Sequence, residues 1–419
     1  MPRHSNRGTS VLSGLKRRIP DENVWRIYAT IFALGVAYGT ALSVLALHLD
    51  DRGFDKTAIG ALAAWFAAGI VAFSLPVGAL IRRLSAKGVL VASLIGYAIA
   101  VGVFPLLSDY PSVALARFFD GGFSVGVWVS SETILLSRAP NRQKAFVTSL
   151  YAVSLAVGYV AGPLLARGLS SVLPLSTNFF VAALLALLAA LFVAARLERD
   201  PALPLPEADT KSTEDSGSFR HVAWKIKTSC LATFTYGYFQ SSVVLFLPLF
   251  LIADKGLLKE QTIVIPAFFA GGMLLFSNIA GRVGDRIGHL LVMRILSLVG
   301  LSMVLGFVLL DSYIAMCLAV FVAGASLASI SPVSLALQGV VCPRQDLARA
   351  TSVYNVFYAA GMLIGPPISS FIFQTQSGAA MLYHLALLWL AFALFTVWFR
   401  ADDPQRQAVR AAAPANLRA

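Results

Sequence analysis

Residues 113–137 read VALARFFDGGFSVGVWVSSETILLS, a run of membrane-spanning length that nevertheless contains Arg117, Asp120 and Glu132. At about 100° per residue of an α-helix, these charges share one third of the helix circumference with three further residues: Ser124, Trp128 and Ser131. An ionised group near the bilayer centre costs roughly 2.5–3.5 kcal/mol, so such groups face a protein interior or a watery cavity. The stretch therefore predicts a membrane helix whose polar face is directed into a bundle of helices.

The composition excludes a soluble protein of this size. The chain has 419 residues, of which 58% are hydrophobic and 13% charged, and its mean hydropathy is +0.75. Its net charge of +12 does not indicate nucleic acid, because the basic residues lie in short loops and tails between apolar runs. The three cysteines lack metal-ligand spacing, so we expect no disulfide, no metal and no other cofactor.

Twelve apolar runs are long enough to cross a bilayer as helices. They lie at about 24–48, 57–81, 88–107, 112–137, 145–169, 173–195, 224–252, 260–281, 289–310, 312–340, 348–374 and 378–400. Helix is favoured over strand because the runs are continuous and each span must satisfy its own backbone. Of the 33 Lys and Arg residues, 26 fall on the side of the two termini and five on the other. This predicts an all-α, multi-pass protein of the inner (plasma) membrane with both termini cytoplasmic.

A shift of 203 residues aligns the two halves of the chain in one unbroken register. It pairs Asp51 with Asp254, Lys56 with Lys259, Gly78 with Gly281, Gly158 with Gly361 and Pro163 with Pro366. Since each half has six spans, the copies share one orientation, as in transporters that rock about a site between parallel repeats. The predicted domains are a cytoplasmic tail (1–23), a six-helix bundle (24–195), a cytoplasmic linker (196–223), a second six-helix bundle (224–400) and a cytoplasmic tail (401–419).

Three short motifs stand at matching places in this plan. They are Arg117-x-x-Asp120-Gly121 in the fourth span, Gly158-x-x-x-Gly162-Pro163 in the fifth, and Gly281-x-x-x-Asp285-Arg286 after the eighth. Together they resemble the major facilitator superfamily, and its antiporter-like members in particular, over about residues 24–400. The resemblance implies twelve helices in two six-helix pseudo-repeats and secondary transport by alternating access. No catalytic or phosphate-binding motif occurs in a suitable context, so an enzyme is not expected.

The resemblance also implies residues for gating and for helix packing. In the family, the acid of the Gly-x-x-x-Asp-Arg loop pairs with an arginine and stabilises one state of the rocking cycle. The gating candidates are Gly78, Arg82, Arg83, Gly281, Asp285 and Arg286, with Arg82 standing where the first copy should have the acid. The packing candidates are Gly158, Gly162, Pro163, Gly361, Gly365 and Pro366. The first three resemble an antiporter motif and favour export slightly.

The charged residues of the fourth span are the predicted proton-coupling group. In proton-coupled members of the family, the fourth-span arginine motif is associated with proton handling. Here Asp120 is predicted to carry the proton, with Arg117 as its tuner and Glu132 as a third member nearer the inner interface. The alternative is that Arg117 and Asp120 are a structural ion pair and that Glu132 reaches out to water.

Other spans supply aromatic and amide side chains that we predict to line a central cavity with few charges. The candidates for substrate binding are Tyr38, Trp65, Trp128, Tyr236, Gln240, Gln338, Asn355 and Tyr358. Each of them alone is also compatible with an ordinary hydrogen bond between helices.

Three functions fit this pattern. The first is a proton-coupled exporter of an amphiphilic small molecule, with that molecule, protons and the lipid bilayer as partners, working as a monomer without nucleic acid. The second is a facilitator or importer of a neutral solute such as a sugar, in which Arg117 and Asp120 only lock helices together. The third is a sensor of the same fold that transports nothing.

Overall fold

The structure, a computed structural model, describes residues 19–138, 144–198, 219–342 and 347–400. Twelve helical spans cross the described part of the chain, which contains no strand. The first six are Glu22–Asp51, Lys56–Leu84, Ala86–Val103, Tyr110–Arg138, Lys144–Ser170 and Ser176–Arg196. The last six are Lys227–Ala253, Lys259–Ile287, His289–Phe307, Tyr313–Val341, Leu347–Thr375 and Gly378–Trp398. Eleven are long and apolar enough to cross a membrane, and the remaining one is the charged fourth span. The predicted all-α fold is confirmed.

The helical structure before the seventh span begins earlier than the sequence predicts. Residues 219–223, assigned above to the linker, belong to a short helix, Phe219–Lys225. This helix is held in place because Val222 and Ile226, four residues apart, are buried in a small apolar cluster with Val353 of the eleventh span. Residues 199–218 of the predicted linker lie outside the described residues.

The two halves repeat the same backbone contacts at positions 203 residues apart. A Cβ added to any of four glycines would overlap a carbonyl oxygen of the neighbouring span. The contacts are Gly69 with Phe118, Gly272 with Phe321, Gly121 with Phe66, and Gly324 with Phe269. The turns match as well, since Gly53 and Gly256 both have positive φ, at 84° and 65°. The sequence repeat is therefore a structural repeat, down to the same close approaches between helices.

Polar contacts between the halves lie at one end of the molecule, the end opposite residues 19 and 400, here called the far end. The second span packs on the eleventh, the fifth on the eighth and the first on the seventh. At the far end Asp51 forms an ion pair with Lys259, and the backbone N–H of Lys56 donates to Oε1 of Gln374 at 3.3 Å. Lys56 Nζ also lies 4.7 Å from the centroid of the Phe373 ring. The far end is thus closed.

At the near end, which holds residues 19 and 400, the ion pairs between described residues stay within one half. An example is Arg138 at the end of the fourth span, whose guanidinium lies 3.3 Å from Asp21 before the first span. The direct polar contacts between the halves named above are all at the far end.

Candidate functional site

The charged pair predicted in the fourth span is buried and formed. Arg117 and Asp120 are each 6% exposed and make a direct ion pair. The Arg117 guanidinium carbon also lies 4.5 Å from the centroid of the Phe66 ring, a cation–π contact. Within the described residues Nε of Arg117 has no hydrogen-bond partner. The pair is therefore neutral as a unit, with one N–H left over.

Close helix packing fixes this pair in place. Gly121, next to Asp120, lies against the carbonyl of Phe66, so the second span approaches the fourth at backbone distance and sets the Phe66 ring against Arg117.

At the start of the fourth span Asp109 accepts hydrogen bonds from the Ser112 hydroxyl at 2.7 Å and from its N–H at 2.9 Å. These bonds lower the pKa of Asp109, so it remains an anion at the helix N-terminus.

A small cavity of about 20 Å³ adjoins the pair inside the first bundle. Arg117 and Asp120 line it together with Tyr38, Tyr97 and Phe66. This volume is enough for about one water molecule, and the guanidinium and carboxylate are suitable partners for it. The cavity therefore has room for one water molecule in contact with the charged pair.

Four aromatic residues form what we call the central aromatic cluster: Tyr38, Tyr97, Trp128 and Tyr159. Around the Tyr38 ring, the centroids of Tyr97, Trp128 and Tyr159 lie at 4.8, 6.0 and 6.4 Å. The Tyr38 hydroxyl donates to the hydroxyl of Ser124, which donates to the backbone carbonyl of Asp120 at 2.6 Å. Predicted residues Tyr38 and Trp128 are thus connected to the charged pair.

Three predicted residues of the second half also come together. The rings of Tyr236 and Tyr358 stack at 6.2 Å, and the Tyr358 hydroxyl donates to Oε1 of Gln240 at 3.0 Å. Tyr159 of the central aromatic cluster lies within electrostatic range of both phenols. The two halves therefore present aromatic surfaces to each other across the central space.

Of the remaining predicted binding residues, Trp65 and Gln338 contact other residues, and Asn355 lies three positions before Tyr358 on the eleventh span. Trp65 is 45% exposed and meets Phe118 edge-on at 6.3 Å. Gln338 is fully buried and donates to the hydroxyl of Thr351 at 3.0 Å, and Asn355 is exposed. Their spacing in the sequence does not distinguish them from Tyr236 or Gln240, because helical periodicity shows which face of a helix a residue lies on and not how deep it lies in the bundle.

Sequence reasoning missed Tyr97, Tyr151 and Tyr159, which the structure places at the site. Tyr97 lies in an almost wholly apolar span without a polar stripe, so no pattern points to it. Tyr151 and Tyr159 are eight residues apart in the fifth span, which puts them on one helix face beside the packing glycine Gly158. That spacing was a usable signal.

Glu132 is separate from the ion pair. It lies twelve residues after Asp120, or about 18 Å along the helix, and one turn after Trp128. It is exposed and forms no ion pair within the described ranges. The buried Tyr151 hydroxyl of the fifth span lies within electrostatic range of its carboxylate. The three predicted proton-coupling residues therefore form two sites and not one.

The predicted gating residues are at the near end. Oδ1 of Asp285 accepts a hydrogen bond from Nε2 of His289 at 3.2 Å, and no arginine of the described residues pairs with it. Arg286 and Arg83 are exposed, and a Cβ at Gly281 would meet nothing within 4 Å. Gly78 lies within the second span, and the side chain of Arg82 lies outside the described set. The arginine pairing implied by the resemblance is thus not made among the side chains that the structure describes.

The packing residues lie at close helix crossings. A Cβ at Gly158 or Gly162 of the fifth span would lie 2.7 or 2.6 Å from the Cα of Gly35 or Gly39 in the first span. In the second half, Gly361 and Gly365 face the backbone carbonyls of Phe234 and Tyr238 in the same way. Pro163 and Pro366 each follow within their own helix. Both crossings need glycine for steric reasons, whichever direction a substrate takes.

Comparison with known proteins agrees with this architecture. The family model described as Major Facilitator Superfamily matches residues 27–312 and again 229–418. An uncharacterised MFS-type transporter of Bacillus subtilis (strain 168), YfkF, is 25% identical over 379 residues, which covers 86% of this chain and 92% of the relative.

Two solved structures show the same fold. A POT family transporter in complex with 5-aminolevulinic acid has a TM-score of 0.76 at 12% identity, over 90% of this chain and 96% of that one. A bacterial homologue of the human lysosomal transporter Spinster, in an inward-facing and unoccupied conformation, has a TM-score of 0.72 at 14% identity, over 91% and 95%.

Proposed function

The chain belongs to the major facilitator superfamily and is a multi-pass secondary transporter, and we propose that it couples the export of an amphiphilic small molecule to protons. The observation that carries the proposal is the buried ion pair of Arg117 and Asp120, joined through Ser124 to Tyr38 in the central aromatic cluster. Intramembrane charge of this kind is functional by default.

The geometry suggests how a proton could be coupled to a conformational change. A proton added to the Asp120 carboxylate would remove its charge and so release the Arg117 guanidinium from the ion pair. Arg117 already has one N–H without a hydrogen-bond partner among the described residues. Once released, its buried charge would be unpaired, which is unfavourable until another acceptor in the cavity binds it. In this proposal Asp120 carries the proton, and Arg117 senses whether it is there.

The two halves supply the alternating access. Contacts at the far end hold the present conformation closed on that side, and rocking about the central space would close the near end instead. The excess of Lys and Arg on the side of the termini supports a cytoplasmic near end in an inner membrane. The antiporter-like fifth-span motif supports export.

Asp120→Asn tests the proposal in proteoliposomes, with a compound selected by a thermal-shift binding screen. We expect the wild-type protein to show substrate-driven pH change in the lumen, and the variant to lose that change while still exchanging labelled for unlabelled compound. Asparagine keeps the shape and most hydrogen bonds but cannot carry the proton. Glu260→Gln, which removes an exposed carboxylate at the far end, serves as the matched control.

Each outcome separates the three functions. Substrate counterflow without pH change in the wild type would indicate a facilitator, and binding without any flux would indicate a sensor. Unchanged coupling in Asp120→Asn would refute the assignment of the proton to this residue, and Arg117 and Asp120 would then be a structural pair.

A further inference from the structure

We propose that Glu132, Trp128 and Tyr151 form a subsite for an organic cation on the near side of the central space. The inference rests on the proposed function and narrows it, because it makes the exported molecule an amphiphilic cation. Trp128 and Glu132 lie one helical turn apart on the fourth span, and the Tyr151 hydroxyl of the fifth span lies within electrostatic range of the Glu132 carboxylate.

Glu132 is a carboxylate of the fourth span without an ion-pair partner among the described residues. Arg117 and Asp120 cancel each other, so this face of the fourth span keeps one uncompensated negative charge. At the positions 203 residues later the second half has apolar residues: Val320, Ala323 and Leu335. A solute that reaches Glu132 therefore meets an unpaired negative charge, which favours a cation.

Three other ionisable side chains within the spans are engaged elsewhere. Arg294 of the ninth span donates to the carbonyl of Thr396 in the twelfth at 2.7 Å. His384 of the twelfth span lies 2.7 Å from the hydroxyl of Tyr238. His48, near the far end, packs against the Phe179 ring at 5.1 Å. None of these groups neutralises Glu132.

Aromatic rings flank the carboxylate on the side facing inward. Trp128, one turn before Glu132, stacks on Tyr38 at the edge of the central aromatic cluster. A carboxylate near aromatic rings favours an ammonium or similar cation, which gains charge attraction from the one and cation–π contact from the others. The same rings would hold the apolar part of an amphiphilic molecule.

Two buried polar atoms at this place lack partners among the described residues. The Tyr151 hydroxyl is in a side chain only 5% exposed, and neither it nor Nε1 of Trp128 makes a hydrogen bond. Buried polar groups are rarely left unpaired, because each costs about 1–3 kcal/mol. Both atoms can donate, so a hydrogen-bond acceptor on a ligand would satisfy them once the side chains that cover them move aside.

A matched pair of ions tests the inference directly. Tetraphenylphosphonium and tetraphenylborate share four phenyl groups and differ in the sign of their charge. We would measure binding of each to the purified full-length protein in nanodiscs of neutral lipid by equilibrium dialysis, with empty nanodiscs in parallel to subtract partition into lipid. The wild-type protein should bind the phosphonium about tenfold more tightly than the borate.

Three variants locate the effect. Glu132→Gln should remove about tenfold in affinity for the phosphonium, whereas Glu132→Asp, which keeps the charge, should retain most of it. Glu260→Gln removes an exposed carboxylate of the far end and should change nothing. Should Glu132→Gln fail to fold, Trp128→Leu against Trp128→Phe gives a second comparison, in which only the leucine variant loses the preference for the cation.

Equal binding of the two ions, no binding of either, or a phosphonium affinity that survives Glu132→Gln would overturn the inference, and Glu132 would then be an acid that merely reaches water. The result is independent of transport. A protein that selects the cation but moves no protons would refute the proposed function alone. A proton-coupled transporter that binds both ions equally would refute only the cation subsite.

Discussion

Gly60 is the position at which a single methyl group should change the conformational equilibrium. It lies in the second span at the far end, where that span packs on the eleventh. A Cβ there would lie 2.6 Å from Cβ of Ser370 and 2.7 Å from the backbone oxygen of Pro366, whereas ordinary contact begins at 3.4 Å. The backbone oxygen cannot turn away as a side chain can. Gly60→Ala therefore forces the two spans apart by about 0.7 Å or more.

The expected size of the effect follows from the cost of overpacking, about 1–3 kcal/mol. Gly60 meets the other half of the molecule, so the protein can escape this cost by separating the halves at the far end instead of unfolding. A bias of that size shifts the equilibrium between the closed and open far end about 5-fold to 150-fold. Substrate affinity measured from the near side should fall accordingly, because fewer molecules are open there.

Spin labels at Thr57 and Gln376, exposed at the far ends of the second and eleventh spans, would report the separation by pulsed electron spin resonance. The three native cysteines are buried, so labelling of the folded protein favours the introduced ones. Gly168→Ala is the matched control, because a Cβ there meets nothing within 4 Å. A distance distribution unchanged by Gly60→Ala, or changed equally by Gly168→Ala, would refute the reasoning.

Two further predictions concern the frame around the site. Ser85, between the second and third spans, has a φ of 96°, which is strained for a residue other than glycine. Ser85→Gly should therefore raise the free energy of unfolding by about 1 kcal/mol, even though it removes the weak hydrogen bond from the Gly88 N–H to the Ser85 hydroxyl. A lower thermal midpoint for the variant would contradict this. Removing the half-exposed ion pair with Asp51→Asn should favour the open far end by less than about 1 kcal/mol, and the double exchange Asp51→Lys with Lys259→Asp should restore it. Distances between the same spin labels that are insensitive to the charge at both positions would show that packing alone closes this end.

Much of the fold could be predicted from the sequence because a bilayer leaves few choices. Continuous apolar runs must be helices, and an unbroken register of 203 residues requires the two bundles to be alike. The register even extends to Ser85 and Gly288, which share positive φ, at 96° and 105°. The depth of a residue within the bundle is harder to predict, because every residue on the inner face of a span has the same periodicity. Gln338 and Tyr236 are equally plausible binding residues from the sequence, but Gln338 bonds to Thr351 of its own half, whereas Tyr236 lies within electrostatic range of Tyr159 in the first half.

The charged group was predicted as one site because Arg117, Asp120 and Glu132 share a helix face. A face is a direction, however, and these residues also differ in height by about 18 Å from Asp120 to Glu132. The neighbours at each height come from other spans, Phe66 and Tyr38 for the pair, and Tyr151 for the acid. Such contacts are set by the crossing of helices, and a single sequence does not contain them.

Duplication has given this protein the same frame twice but the charges only once. At the positions equivalent to Arg117 and Asp120 the second half has Val320 and Ala323, yet the glycine contacts around both places are the same. The glycine packing is therefore present in both copies, while the buried ion pair is present in one. A cation held by the first half would stay near the same charges as the halves rock, and would exchange its aromatic contacts with the second half. In such an arrangement charge supplies affinity in both conformations, and the changing contacts with Tyr236 and Tyr358 decide which conformation the bound molecule favours.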